Sequence, residues 1–101
     1  MNEALGSKKG MAENYANLGV LYQMKGDTEK AIAFLEKALQ LAEALGSKEG
    51  MARNYDNLGQ IYRRQDNKAE AKRYFKKSLD LYKQLRSPTV KDIQTALDEL
   101  Q

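Results

Sequence analysis

Apolar side chains recur at helical spacing in two pairs of segments along this chain. The first segment of each pair has an i, i+3, i+4, i+7 stripe, which is typical of an amphipathic helix. The second segment has a broader apolar face, as expected of a helix that touches two others. The pattern predicts two hairpins, each with a first helix A and a second helix B. The A stripes are Tyr15, Leu18, Gly19 and Tyr22, then Tyr55, Leu58, Gly59 and Tyr62; the B faces are Ala31, Ile32, Phe34, Leu35, Ala38, Leu39, Leu41, Ala42 and Leu45, then Ala71, Tyr74, Phe75, Leu79, Leu81, Tyr82 and Leu85.

Turn and cap residues separate these predicted helices. Gly26-Asp27 and Asp66-Asn67 each suit a left-handed turn residue followed by an N-cap. Between the hairpins, Gly46 suits a helix C-terminus and Ser47 an N-cap for the next helix. Glu70 is placed to complete a capping box with Asn67.

The two hairpins are copies of one unit. Residues 3–19 return as residues 43–59, and only three of the 17 positions differ: Lys9/Glu49, Glu13/Arg53 and Ala16/Asp56. A repeat with this period predicts a solenoid, in which each unit buries its apolar face against a neighbour. Glycine inside a helix is unfavourable, so Gly19 and Gly59 indicate close contact between the A and B helices, with Ala31 and Ala71 opposite.

A fifth helix is predicted at the C-terminal end. Ser87-Pro88 suits a helix start, and Val90, Ile93, Leu97 and Leu100 then share one face. One apolar side and one polar side is what a solenoid cap requires. The expected architecture is a single all-α domain over residues 1–101, with repeat 1 at about 8–45, repeat 2 at about 48–85 and a cap helix at about 88–100.

The repeated residues resemble the signature of the tetratricopeptide repeat family. They are Tyr15, Leu18-Gly19, Tyr22, Ala31, Leu35 and Ala38, then Tyr55, Leu58-Gly59, Tyr62, Ala71, Phe75 and Ser78. The forty-residue period with its LGSKxG linker resembles the longer subclass found in Pins-type polarity adaptors and in bacterial and archaeal signalling proteins. The resemblance implies a short right-handed superhelix that binds proteins without catalysis. Two positions depart from the family pattern: Glu43, where the shorter subclass has Pro, and Asp66, where the turn Gly would stand.

Composition narrows the possible chemistry. The chain has no His and no Cys, so the commonest general base and the thiolate metal sites are absent, and we expect no enzyme, metal or cofactor. The sequence GSKKG at residues 6–10 lacks the spacing of a phosphate-binding loop and is repeated at 46–50, which favours a structural linker. No apolar run is long enough for a membrane span, and we expect a cytoplasmic protein. The net charge of +3 comes from the C-terminal half: residues 51–101 have 11 Lys or Arg against 7 Asp or Glu.

The candidate binding surface is the stripe of helix A that differs between the copies. Packing fixes the residues of a core stripe, whereas residues on a surface that contacts a ligand are free to differ between the copies. The alternative is that the variable positions are simply solvated. The resemblance implies that this face lines a peptide-binding groove, and that Asn17 and Asn57 hydrogen-bond the main chain of an extended peptide, a role that suits an amide. The alternative for both Asn side chains is a bond to water or to a neighbouring carbonyl. The variable positions are Glu13, Ala16, Val20, Gln23 and Met24 in the first copy, and Arg53, Asp56, Gln60, Arg63 and Arg64 in the second.

Two other binding modes are disfavoured. Family members that clamp a C-terminal carboxylate need Lys and Asn where this chain has Ala16 and Val20, so a chaperone-binding role is not expected. The basic run on the second helix B is typical of a solvated face, and no aromatic residues alternate with it at a spacing that suggests base stacking, so nucleic acid is an unlikely partner. The run comprises Lys68, Lys72, Arg73, Lys76 and Lys77.

We therefore expect a non-catalytic scaffold that binds a peptide or protein segment in the groove of the A helices. The alternative is a self-association module, because Met11, Tyr15 and Leu18 on the first helix A have no preceding repeat to cover them. A homodimer is possible on that basis. The opening residues MNEALG resemble the end of another helix B, which suggests a fragment of a longer array.

Overall fold

Five α-helices connected by short turns make up the described part of the chain. The computed structural model describes residues 3–100, with side chains from residue 8 onward. The helices are α1 (Glu3–Lys25), α2 (Thr28–Leu45), α3 (Lys48–Arg64), α4 (Lys68–Gln84) and α5 (Val90–Glu99). α1 packs on α2 and α3 on α4 as two hairpins, α2 joins the hairpins by packing on α3, and α5 covers α4. This arrangement confirms the predicted all-α solenoid. Within residues 3–100, no helix combines the length and the apolar character needed to cross a membrane.

The predicted turns form as expected. Gly26 and Asp66 take left-handed φ values of 87° and 62°. Asp27 and Asn67 then cap α2 and α4 by accepting hydrogen bonds from the N–H groups three residues later, each at 3.3 Å. The predicted capping box was wrong, because the Glu70 carboxylate accepts instead from the Arg73 guanidinium at 3.1 Å, where an ion pair strengthens the bond.

Close helix contact explains the two interior glycines. A Cβ atom on Gly19 would lie 2.6 Å from Leu35 Cγ and 3.2 Å from the Ala31 carbonyl oxygen. A Cβ atom on Gly59 would lie 2.9 Å from the ring of Phe75. Each glycine therefore makes room for a large side chain of helix B, which confirms the predicted contact between the A and B helices.

The core consists of two clusters on either side of α3. Ala31, Leu35, Leu58 and Ile61 are buried where α2 meets α3. The larger cluster joins α3, α4 and α5, and within it the Ser78 hydroxyl donates a 2.8 Å hydrogen bond to the Ala52 carbonyl. Its buried members are Ala52, Ala71, Phe75, Leu79, Tyr82, Ile93, Leu97 and Leu100. As predicted, Ile93, Leu97 and Leu100 share the buried face of the cap.

Two helix starts differ from the sequence-based expectation. α1 begins at Glu3, so residues 3–6 continue into the first helix A and are not the end of a separate helix B; Met1 and Asn2 lie outside the described residues. At Gly46, the counterpart of Gly6 in the second copy, the chain bends because α2 must pack against α3. α5 begins at Val90, two residues after Pro88, since Arg86 takes a left-handed φ of 53° and the Ser87 hydroxyl accepts from the Thr89 N–H at 3.1 Å.

Each hairpin also contains a stack of three aromatic rings. Phe34 of α2 lies between Tyr15 and Tyr22 of α1, with ring centroids 5.9 and 5.5 Å apart. In the second hairpin Tyr74 of α4 takes the same place between two tyrosines of α3, at 6.0 and 5.6 Å. In each hairpin the two Tyr residues are seven positions apart on helix A, and the ring from helix B lies between them, so the stack joins the two helices.

Candidate functional site

A cavity of about 870 Å³ opens between α1 and α3. Its lining is rich in small residues from three helices, which leave room for a ligand to approach the backbone. Three of the predicted site residues also line the cavity, Glu13 and Ala16 on α1 and Arg53 on α3. The small lining residues are Gly10, Ala12, Ala16, Ala42, Ser47 and Gly50.

The rim of this cavity carries four charges of alternating sign. α1 contributes Lys9 and Glu13, and α3 contributes Glu49 and Arg53. The equivalent residues Lys9 and Glu49 therefore have opposite charges, as do Glu13 and Arg53. None of the four side chains forms a salt bridge with another residue in the described range. The rim thus offers both a positive and a negative group on each side.

A second, smaller cleft of about 330 Å³ lies between α3 and α5. The predicted site residues Asp56, Gln60 and Arg63 line its α3 side, and α5 contributes Asp92 and Glu99. The Arg63 guanidinium lies 3.6 Å from the Glu99 carboxylate and over the ring of Phe75, 5.8 Å from its centroid. Arg63 is therefore partly engaged within the chain, whereas no ion pair involves Arg53 or Arg64 in the described range.

Asp56 has an altered acidity in this cleft. Burial raises the pKa of its carboxyl above the ordinary value of 3.8, an effect stronger than the opposing influence of the Gln60 hydrogen bond and the Arg63 charge. The Gln60 amide donates to the Asp56 carboxylate at 3.0 Å. Nearby Asp92 also contributes to the higher pKa. The two side chains form a polar pair on α3 beside the cap helix.

The remaining predicted residues lie outside both cavities. Asn17 is exposed and Asn57 is half-buried, while Val20 and Gln23 are half-buried and Arg64 is exposed. Met24 is 77% exposed. The predicted face therefore divides into an α1–α3 cavity, an α3–α5 cleft and a set of surface side chains beside them.

Comparison of the sequence with models of known protein families identifies the family. The tetratricopeptide repeat model matches residues 10–84, about three quarters of the chain. The chain belongs to the tetratricopeptide repeat family. Members of this family generally mediate protein–protein interaction and are non-catalytic. No curated protein sequence matches closely enough to add an individual relative.

Sequence reasoning missed two residues of the tetratricopeptide cavity and one buried amide. Lys9 and Glu49 line the cavity, and their difference between the copies was the available signal. Asn54 is only 4% exposed, and its side-chain oxygen has no hydrogen-bond partner in the described range. Its equivalent Asn14 is exposed, since no helix covers that side of α1 in the described range. Nothing in the sequence distinguishes Asn54 from Asn14.

The basic helix of the second tetratricopeptide unit differs from the expectation in one respect. Arg73 lies over the ring of Tyr74 at 5.1 Å and Lys77 over that of Tyr55 at 5.4 Å, so aromatic rings do occur among these cations. The rings also stack on one another, with Tyr74 near parallel to Tyr62. Neighbouring rings and cations therefore occupy faces of these aromatic rings.

Proposed function

We propose that this tetratricopeptide domain binds an extended peptide or protein segment along α1 and α3. The observation that supports the proposal best is the 870 Å³ cavity between these helices, with its small lining residues and with rim charges that form no salt bridge among the described side chains. A segment there could approach the backbone closely and meet charges of both signs. A Pins-type adaptor role in the cytoplasm is the form of this function that the forty-residue period favours.

The ligand would join an apolar patch to an acidic one. Exposed Met24 and half-buried Val20 offer apolar contact on α1. Arg53 and Arg64 on α3 offer positive charge, while Arg63 would first have to release Glu99. The amides of Asn17 and Asn57 would bond the ligand main chain whatever its side chains are.

A peptide titration tests this function. Peptides that combine acidic and apolar residues should bind the wild-type chain, and Arg53→Glu should weaken binding mainly by slowing association, with a strong salt dependence. The Asn17→Ala/Asn57→Ala variant should lose about 1–3 kcal/mol of binding free energy if the amides are desolvated. Lys76→Glu is the matched control, since it changes the net charge equally from an exposed position on α4. A peptide that binds all of these variants equally would place the site on another surface.

Self-association is a second candidate, favoured by exposed apolar residues on one side of α1. Leu21 is 43% exposed although its equivalent in the second repeat, Ile61, is 3% exposed beneath α2. Met11 is 44% exposed on the same helix, with Leu18 half-buried beside it. Two copies that pack α1 against α1 would cover this apolar side.

Sedimentation of two matched variants tests the second candidate. Leu21→Glu should abolish any concentration-dependent dimer, because the charge would be buried at the contact. Leu85→Glu is the control, since Leu85 is 41% exposed at the end of α4, away from α1. A monomer across a hundredfold concentration range in the wild type would exclude this candidate.

A further inference from the structure

Nearly identical sequences adopt two backbone conformations in this chain. Residues 3–19 and 43–59 differ at three of 17 positions. The first copy is helical throughout, as part of the single helix Glu3–Lys25. In the second copy, Gly46 takes a left-handed φ of 68° and Ser47 is extended, so that α2 ends and α3 begins. The local sequence therefore permits both a straight helix and a bend.

Tertiary packing selects the bend at the second copy. α2 must fold back to bury Ala31 and Leu35 against Leu58 and Ile61 of α3. Few bonds hold the junction itself: the Gly46 N–H donates to the Glu43 carbonyl at 3.1 Å, and the Ser47 N–H to the Ala42 carbonyl at 2.9 Å. The Ser47 hydroxyl accepts from the Gly50 N–H at 3.0 Å. A straight helix would replace these bonds with ordinary helical ones.

We propose that the α2–α3 junction straightens and that two copies of the chain exchange their second repeats. α2 and α3 then form one helix from Thr28 to Arg64, about 55 Å long at 1.5 Å per residue. Two such helices lie antiparallel, with α2 of each copy on α3 of its partner. The buried α2–α3 cluster forms again between the copies, so that only the junction differs from the monomer.

The exchange also changes how the cavity between α1 and α3 is assembled. In the monomer one chain provides both Glu13 and Arg53. In the exchanged dimer α1 of one copy faces α3 of the partner, and each of two cavities is built from two chains. The exchange stands independently of the proposed peptide binding, because it rests on the junction and the α2–α3 cluster alone.

Two substitutions at the junction act in opposite directions. Gly46→Ala puts a Cβ atom on a left-handed residue in the monomer, which is unfavourable, and favours the continuous helix of the dimer. Together these effects should shift the equilibrium between the bent and the straight junction toward the straight form by on the order of tenfold per chain. Because two chains straighten, the dimer dissociation constant should fall by about 100-fold. Lys48→Pro should abolish the exchange, because proline is tolerated at the first position of α3 but breaks a continuous helix. The extended Ser47, with φ −87° and ψ 96°, is compatible with a following proline.

Sedimentation velocity of the full chain, after refolding at a series of concentrations, tests the exchange. We expect the Gly46→Ala protein to form a dimer. Adding Leu21→Glu to this variant should leave the dimer intact, whereas adding Lys48→Pro should abolish it. Gly10→Ala is the control for the added methyl group, since a Cβ atom at Gly10 has no neighbour within 4 Å. A Gly46→Ala protein that stays monomeric, or a dimer that survives Lys48→Pro, would overturn the proposal. If Gly46→Ala fails to fold, the wild type and Lys48→Pro are compared instead; absence of a wild-type dimer after refolding at high concentration would also overturn it.

Discussion

At the scale of single residues, the same amino acid has opposite effects at different positions of α1. Gly10 faces open space, whereas Gly19 lies against Leu35, whose Cγ would be 2.6 Å from an added Cβ atom. Glycine is a cost to the helix at the first position and a packing requirement at the second.

Alanine substitutions should separate these two roles. Gly10→Ala should raise the free energy of unfolding by about 0.5–1 kcal/mol through helix propensity. Gly19→Ala should lower it by about 1–3 kcal/mol, because Leu35 and the α2 backbone must shift. Thermal melts followed by circular dichroism measure both. Equal midpoints for the two variants would contradict the close contact.

Asn54 and Asn14 form a second matched pair. Asn54 is buried and its side-chain oxygen has no hydrogen-bond partner among the described residues, so Asn54→Ala removes an unpaired polar group that costs about 1–3 kcal/mol. Asn14 is exposed, so Asn14→Ala should gain only the few tenths of a kcal/mol that helix propensity provides. Urea denaturation of both variants should show the larger gain for Asn54→Ala. A loss of stability at Asn54 would mean that its amide is bonded after all.

Residue-level features were predictable where local rules decide them. Gly26, Gly46 and Asp66 take the left-handed conformations that their turns require, and Asp27, Ser47 and Asn67 cap the following helices. The burial of Asn54 was not predictable, because it depends on the helices that pack around α3 and not on the residues beside it in the sequence. The pairing of Glu70 with Arg73 was also not predictable, since a carboxylate at position 70 can reach either the Asn67 backbone N–H or the Arg73 guanidinium.

At the scale of helices, α5 closes the second cluster. Ile93 and Leu97 are 2% and 5% exposed beneath the end of the solenoid. Leu97→Ala should cost about 2–5 kcal/mol through lost contact and the cavity left behind. Lys91→Ala, at an exposed position of the same helix, should change stability by less than about 0.5 kcal/mol. Chemical denaturation compares the two, and similar midpoints would mean that α5 does not stabilise the hairpins.

The contact between α3 and α5 should also make stability depend on pH. The pKa of Asp56 is raised in the folded chain, so the folded state binds more protons than the unfolded state between 3.8 and the raised value. Stability contributed by this group therefore falls as pH rises through that window. Asp56→Asn should stabilise the chain near neutral pH and lose its advantage below about pH 3.8. Urea midpoints across this range measure it, with Asp80→Asn as an exposed control; a constant difference at all pH values would exclude the mechanism.

At the scale of the whole molecule, the repeat made the architecture predictable and left the binding surface only partly so. Two copies of one stripe determine how the hairpins pack, because each copy needs the same neighbour. The extent of α1 was missed, since the sequence at residues 3–7 matches a bend at residues 43–47 and only the packing of α2 distinguishes them. The division of the variable face into a cavity and a cleft depends on where α5 lies against α3, which helical periodicity does not encode.

The aromatic stacks provide an optical signal for each hairpin. The chain has six Tyr, two Phe and no Trp, so its intrinsic fluorescence comes from tyrosine alone. Phe34→Trp and Tyr74→Trp would each place one indole between two tyrosine rings, in the first and second hairpin respectively. Excitation above the tyrosine band would then report the opening of one hairpin at a time. Because α3 belongs to both clusters, we expect the two indoles to give the same denaturation midpoint; two separate midpoints would show that each hairpin melts as its own unit.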